Sequence, residues 1–246
     1  MSSWTWPAAL AGAISASDLS LTLQHLSPQL QVIGHGITGD KVTLERSTDL
    51  HSWATVSGIV LRPGLRARNQ QQQGTFTNWD GTVFQTTGFP LPISNDGSVT
   101  FLEGFNAESG GTFYRLQSPD RGWEDARARW AALKVKEYRY RLRRFCFCFG
   151  APRDGLVHVK DGVVVDVEEL GPPQVPPVPG AGDPKLYPTI DRLFGILEES
   201  VTQGVDVVQF HTDPQLGIPN SIMIDYLVGA ADAGVSYLAE DFVRIE

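Results

Sequence analysis

The sequence is poor in reactive side chains. Its 246 residues include two cysteines, two methionines and five histidines, which is little material for a thiol enzyme or a metal centre. It contains no Gly-x-Ser-x-Gly, His-Glu-x-x-His or phosphate-loop pattern, so chemistries that depend on those spacings have no local signature. No stretch approaches the roughly 18 consecutive apolar residues that a spanning helix needs. Basic side chains are outnumbered 20 to 28, for a net charge of −8. That balance argues against nucleic acid as a partner, because its phosphate backbone favours basic surfaces. What is there is ordinary for a globular chain: 41% hydrophobic and 20% charged residues, enough for one large domain or two smaller ones.

Charge is unevenly spread. Residues 121–150 carry 9 basic and 3 acidic side chains, whereas residues 151–246 carry 5 basic and 16 acidic. The contrast is expected to mean mutual neutralisation within one domain. The N-terminus has a short apolar run from Pro7 to Ile14 followed by the small residues Ser15-Ala16-Ser17, with no Lys or Arg ahead of it. Residues 1–18 therefore read as an extension or the remnant of an export signal.

Between residues 19 and 117 the pattern is one of short strands separated by turn residues. Leu19–His25, Gln29–Ile33, Lys41–Ser47, Trp53–Leu61, Thr75–Gln85, Ser98–Glu103 and Thr112–Gln117 are rich in β-branched or aromatic residues. Asn95-Asp96-Gly97 is the clearest hairpin signal. Such spacing predicts an all-β sandwich. Gly34-His-Gly-Ile-Thr-Gly39 has the dinucleotide-binding spacing, but a strand-like segment follows it where that mechanism needs a helix. The run from Val42 to Leu50, then Trp53, closing with Phe113-Tyr114-Arg115-Leu116, resembles fibronectin type III-like modules of bacterial exported proteins. That resemblance implies a spacer or adhesive module and carries no catalytic residue.

After Ser118-Pro119, the expected hinge, the period changes. Trp123, Ala126, Trp130 and Leu133 mark a helix, with Pro119 expected near its first turn. Tyr138 to Phe149 alternates aromatic and arginine residues, which predicts a long strand over 137–149. A hairpin over Leu156–Val167 turns at Asp161-Gly162, and Gly171–Pro184, with six prolines, reads as an irregular loop. Thr189 is expected to cap a second helix burying Ile190, Leu193, Phe194, Leu197 and Val201. Strands at Val205–His211, Ser221–Leu227 and Val235–Ile245 complete an α-β-β-α-β-β-β order, an α+β domain over 121–246 with an antiparallel sheet and helices on one face. Trp130, Tyr138-x-Tyr140, Cys146-x-Cys148, Val159-x-Asp161-Gly162, Thr189 to Phe194 and Asp213 to Asp225 occur in one order. This ordered set resembles the bacterial family catalogued as domain of unknown function 6174. Thr212 and Ile218 stand where aromatics are usual in that family. The resemblance implies exported proteins without an assigned activity.

Candidate functional groups are few. Cys146 and Cys148 lie close enough along a strand that a local irregularity would let them pair. Two reduced core thiols, or half of a metal site completed by His158 and His211, are the alternatives. Arg139, Arg141 and Arg143 share one face of their strand and form the candidate interaction surface, beside a loop containing Asp213, Gly217 and Pro219. Cross-strand acids could instead neutralise those arginines. Asp213-Pro214 and Gly217 also read as turn chemistry. No cofactor and no catalytic residue is assigned. The chain is expected to be an exported protein of the periplasm, cell surface or medium that binds another envelope protein or an anionic ligand. The alternative is an enzyme or metal-dependent protein using Cys146, Cys148, His158 and His211.

Overall fold

The computed structural model describes residues 4–7, 20–26, 29–37, 39–66, 74–77, 83–86, 91–94, 96–104, 112–117, 122–146, 154–170, 182–228, 230 and 232–245. Cys148, the hinge at Ser118-Pro119 and most of the proline-rich loop lie outside this set, as does most of the expected N-terminal extension. The protein is rich in β-structure, with two short α-helices among the described residues. It divides into two compact units: residues 1–53 with 59–120, and residues 54–58 with 121–246.

In the first unit, β1 (Trp4–Pro7), β2 (Ser20–Leu26), β3 (Gln29–His35) and β8 (Val99–Gly104) form an antiparallel sheet in that order. Trp4–Pro7 pairs with Ser20–Leu23, so part of the expected extension is a strand. β4 (Lys41–Ser47) pairs with β9 (Phe113–Gln117). The single strand expected over Thr75–Gln85 is instead two, β6 (Gly74–Thr77) and β7 (Val83–Thr86), paired antiparallel. The turn after β4 is tied by short polar side chains. Ser47 Oγ accepts from the amides of Asp49 and Leu50, while Asp49 Oδ1 accepts from those of His51 and Ser52. The amides of Ser52 and His51 hold the Asp49 carboxyl well below the usual carboxylate range. Trp53 follows, and the Arg115 guanidinium lies 4.2 Å over its ring while bonding Glu45.

In the second unit the order is α1 (Glu124–Ala132), β10 (Glu137–Cys146), β11 (Asp154–Lys160), β12 (Val163–Glu169), a 3-10 turn at Pro184–Leu186, α2 (Ile190–Gln203), β13 (Val207–Thr212), β14 (Pro219–Asp225) and β15 (Gly234–Ile245). There is one more strand than the α-β-β-α-β-β-β order expected, because the 154–169 hairpin contributes two. Pairing runs β12-β11-β10-β15-β14-β13, every step antiparallel. Asp161 and Gly162 both take positive φ, 48° and 76°, as a two-residue hairpin turn demands.

Helix α1 begins at Trp123 with no side-chain cap, later than a Ser118-Pro119 start. Packing fixes it: Trp123 meets Phe210 edge-on at 5.7 Å, and Trp130 meets Tyr138 edge-on at 5.3 Å. Helix α2 starts where the sequence indicated, with Thr189 Oγ1 accepting from the Arg192 amide, and stops at Gly204 in the left-handed region. Ile190, Leu193, Phe194 and Leu197 are fully buried beneath it. Both helices cover the same face of the sheet, because Tyr138 also accepts a hydrogen bond from the Ile190 amide and Tyr140 donates one to the Pro188 carbonyl.

Register along β15 is interrupted once. Arg139 faces Val243 but Arg141 faces Glu240, and Asp241 sits at φ 52°. This bulge turns Phe242 under the helices, where it meets Trp130 edge-on at 5.7 Å and Tyr138 at a tilt at 5.4 Å.

Strand β5 (Ala54–Leu61) supplies its first five residues to this unit, beside β13. The Thr55 amide donates to Asp125 Oδ2 at 2.9 Å, and the Thr55 carbonyl accepts from Arg129 at 3.1 Å and from Thr212 Oγ1 at 2.6 Å. Asp125 and Arg129 bond each other one turn apart on α1. Ser57 Oγ donates to the Phe210 carbonyl, and the Phe210 ring lies where a Cβ on Gly58 would stand, 2.2 Å from its Cζ.

Gly217, between β13 and β14, combines φ 74° with a position where a Cβ would lie 2.1 Å from the Ala126 carbonyl oxygen. The neighbour is helix backbone and cannot swing aside. Gly217→Ala is expected to destabilise the second unit by about 2–4 kcal/mol. Hydrogen exchange checks this through lost protection at β13 and β14 amides; unaltered rates there would show that the loop can shift without cost.

Candidate functional site

Strand β10 places two chemistries on opposite sides of one sheet. Tyr138, Tyr140 and Leu142 point to the helices and are buried. Arg139, Arg141 and Arg143 therefore share the other face. The stripe is real, and two of its three members are already engaged. Arg141 forms a paired contact with Asp154, Nε to Oδ1 at 2.9 Å and NH2 to Oδ2 at 2.6 Å. Arg143 does the same with Glu240. Their partners raise both guanidinium pKa values further. With Arg127–Glu198, these pairs join the basic segment to the acidic one, the mutual neutralisation that the charge distribution implied. Arg139 is exposed and contacts no carboxylate among the described residues.

The Asp213–Pro219 loop does not extend this stripe. It joins β13 to β14, with β15 between β14 and β10, and its Gly217 packs on α1, on the helix side. Asp213 Oδ1 accepts from the amides of Gln215 and Leu216 at 2.8 and 2.6 Å. Its carboxylate is committed to closing its own turn. Pro219, Ile218 and Thr212 are buried.

Cys146, His158 and His211 do not converge. His158 faces Arg139 across β10–β11, seven strand residues from Cys146, or roughly 23 Å at strand rise. It bonds Glu137, which also contacts Lys160; the Lys160 and His158 hydrogen bonds lower the Glu137 pKa. His211 lies in the row His211, Ser221, Leu238, Arg143, three strands from β10 and roughly 14 Å across the sheet. Among the described residues no group of three or more His, Cys, Asp or Glu side chains could hold a metal ion.

The same face carries a feature that residue-type scanning passed over. Phe145, Ser236 and Met223 lie in one cross-strand row. Phe145 is 54% exposed and Met223 38%, with the small serine between them. Tyr226 and Leu227, directly after β14, are exposed at the same end, and Val243 is exposed beside Arg139. The signal was present in the alternation, since Phe145 continues the arginine parity of β10, but its row-mates come from distant strands.

Residues 123–244 match the model of a family of unknown function, DUF6174. The matched stretch runs from α1 to Arg244 in β15, so it contains both faces just described. Ala54–Gly58, the strand segment beside β13, lies outside it. No curated protein and no solved structure matches the chain.

His211 is largely withdrawn from water, and burial lowers its pKa below 6.5. A depressed imidazole pKa favours the neutral ring in the folded state. Its contribution is present above the unfolded value and is lost as pH falls through the folded one. The His211 ring resonances are expected to titrate with a midpoint below 6.5; a midpoint at or above that value would show the ring to be solvated.

Proposed function

We propose that the protein is a non-catalytic binding or structural component of the bacterial envelope, exported to the periplasm, cell surface or medium. In this reading the DUF6174 region is the interaction module. The first unit is a fibronectin type III-like spacer, as its Ser47–Trp53 turn and Phe113–Leu116 strand suggest. The observation that carries the reading is the exposed Phe145–Ser236–Met223 row on the face away from the helices. Exposed aromatic and methionine side chains on a rigid sheet supply contact area at small ordering cost. Arg139 and Val243 extend that area, whereas Arg141 and Arg143 are neutralised and frame it. A protein surface therefore suits this face better than a purely anionic ligand. The rival reading, catalysis or metal binding by Cys146, Cys148, His158 and His211, is disfavoured by the spacing of His158 and His211 along the sheet.

Affinity capture from an envelope extract tests the face. Phe145→Asp with Met223→Asp is expected to lose the partners that wild type retains, while Arg141→Ala with Arg143→Ala keeps them. An unchanged partner set in the first variant would move the binding surface elsewhere.

The same reading includes a Cys146–Cys148 bridge, supported by the position of Cys146 at the last residue of β10. The mass of the non-reduced peptide containing both cysteines is expected to be lower by two hydrogens than after reduction. Two free thiols in protein isolated from an oxidising compartment would leave both as packing residues.

A further inference from the structure

The residues beside β13 are held in an unusual way. Asp125 and Arg129 direct an ion-paired carboxylate and guanidinium at the amide and the carbonyl of one residue, Thr55. They do for that residue what a neighbouring strand would do, and they read main chain rather than side chain. Thr212 adds a hydroxyl to the same carbonyl. Three residues on, the Phe210 ring fills the space over Gly58, so the slot admits glycine there and nothing larger. The acceptor groups all lie within residues 123–244, while the strand they hold comes from far upstream and outside that region.

We infer that the β13 edge of the DUF6174 region, with Asp125, Arg129, Thr212 and Phe210, is a strand-binding site that this chain fills with its own Ala54–Gly58. The kind of partner it fits is an extended segment with glycine three positions after the clamped residue. Main-chain hydrogen bonds supply affinity, and the Phe210 contact supplies selectivity, which is the logic of strand addition to a sheet edge. The charge-assisted contacts give the site a preference for backbone that an ordinary edge lacks. This site is separate from the exposed Phe145–Met223 row and does not depend on it.

The test uses the full chain and a labelled peptide of residues 53–59 carrying two added lysines for solubility. Gly58→Val is expected to eject the resident strand. Wild type, with its site filled, is expected to bind the peptide at least about tenfold more weakly than the Gly58→Val variant. Adding Asp125→Ala and Arg129→Ala to that variant is expected to remove the gain, as is replacing glycine by valine in the peptide. A Gly58→Val protein whose β10 and β14 amides stay protected but which binds no better than wild type would overturn the inference. Should Gly58→Val abolish that protection, millimolar peptide is expected to restore it; failure to restore it overturns the inference equally.

Discussion

Side-chain alternation along β10 is the constraint on which the second unit rests. Ten residues of strand send Tyr138, Tyr140 and Leu142 to one side and Arg139, Arg141 and Arg143 to the other. Tyr138 buries its ring against Trp130 and Phe242 with Tyr140 beside it, and the two hydroxyls engage backbone at Pro188, just ahead of α2, and at Ile190, within its first turn. Burial without those partners would be costly for either hydroxyl. The helices are thus located by polar tips as much as by apolar surface. The arginines, kept out of the core by the same alternation, are free to take acids from β11 and β15. One strand organises both layers because its period of two leaves no third direction.

Local chemistry was legible in the sequence wherever a residue acts on its immediate neighbours. Thr189 caps α2, Asp161-Gly162 turns a hairpin, and the limits of β4 follow the local pattern of Lys41–Ser47, because propensity and hydrogen-bonding partners lie within a few positions. What escaped depends on distance in the chain. Trp4–Pro7 reads as an extension until β2 offers it a ladder. Trp123 opens α1 without a cap because Phe210 holds it. Gly58 carries no local turn signal; its meaning comes from a ring more than a hundred residues away. The arginine stripe was visible, but the bidentate acids that neutralise it sit on two different strands.

The candidate site divides in the same manner. Cys146, His158 and His211 look like a ligand set when counted by type, and register alone separates them. His158 belongs to one end of β10 and Cys146 to the other, and no side-chain movement spans that length of strand. Conversely, the exposed row combines a phenylalanine, a serine and a methionine from three strands. Phe145 alone continues a pattern visible in the sequence, and only the antiparallel register makes the three neighbours.

The bulge at Asp241 acts as a change of reading frame for the sheet. Upstream of it, even-numbered residues of β15 such as Glu240 face away from the helices; beyond it the odd-numbered Val243 does so, and Phe242 turns inward. One residue thus keeps two otherwise incompatible phases in step. Straightening the strand with Asp241 drawn into the ladder would bring Val243 into the core and carry Phe242 to the outside, with no change in composition at all. Backbone conformation at this point of the chain is therefore held tightly, and a β-branched side chain, which disfavours the left-handed region that Asp241 occupies, would be tolerated far less well than the exposed, polar character of that position suggests.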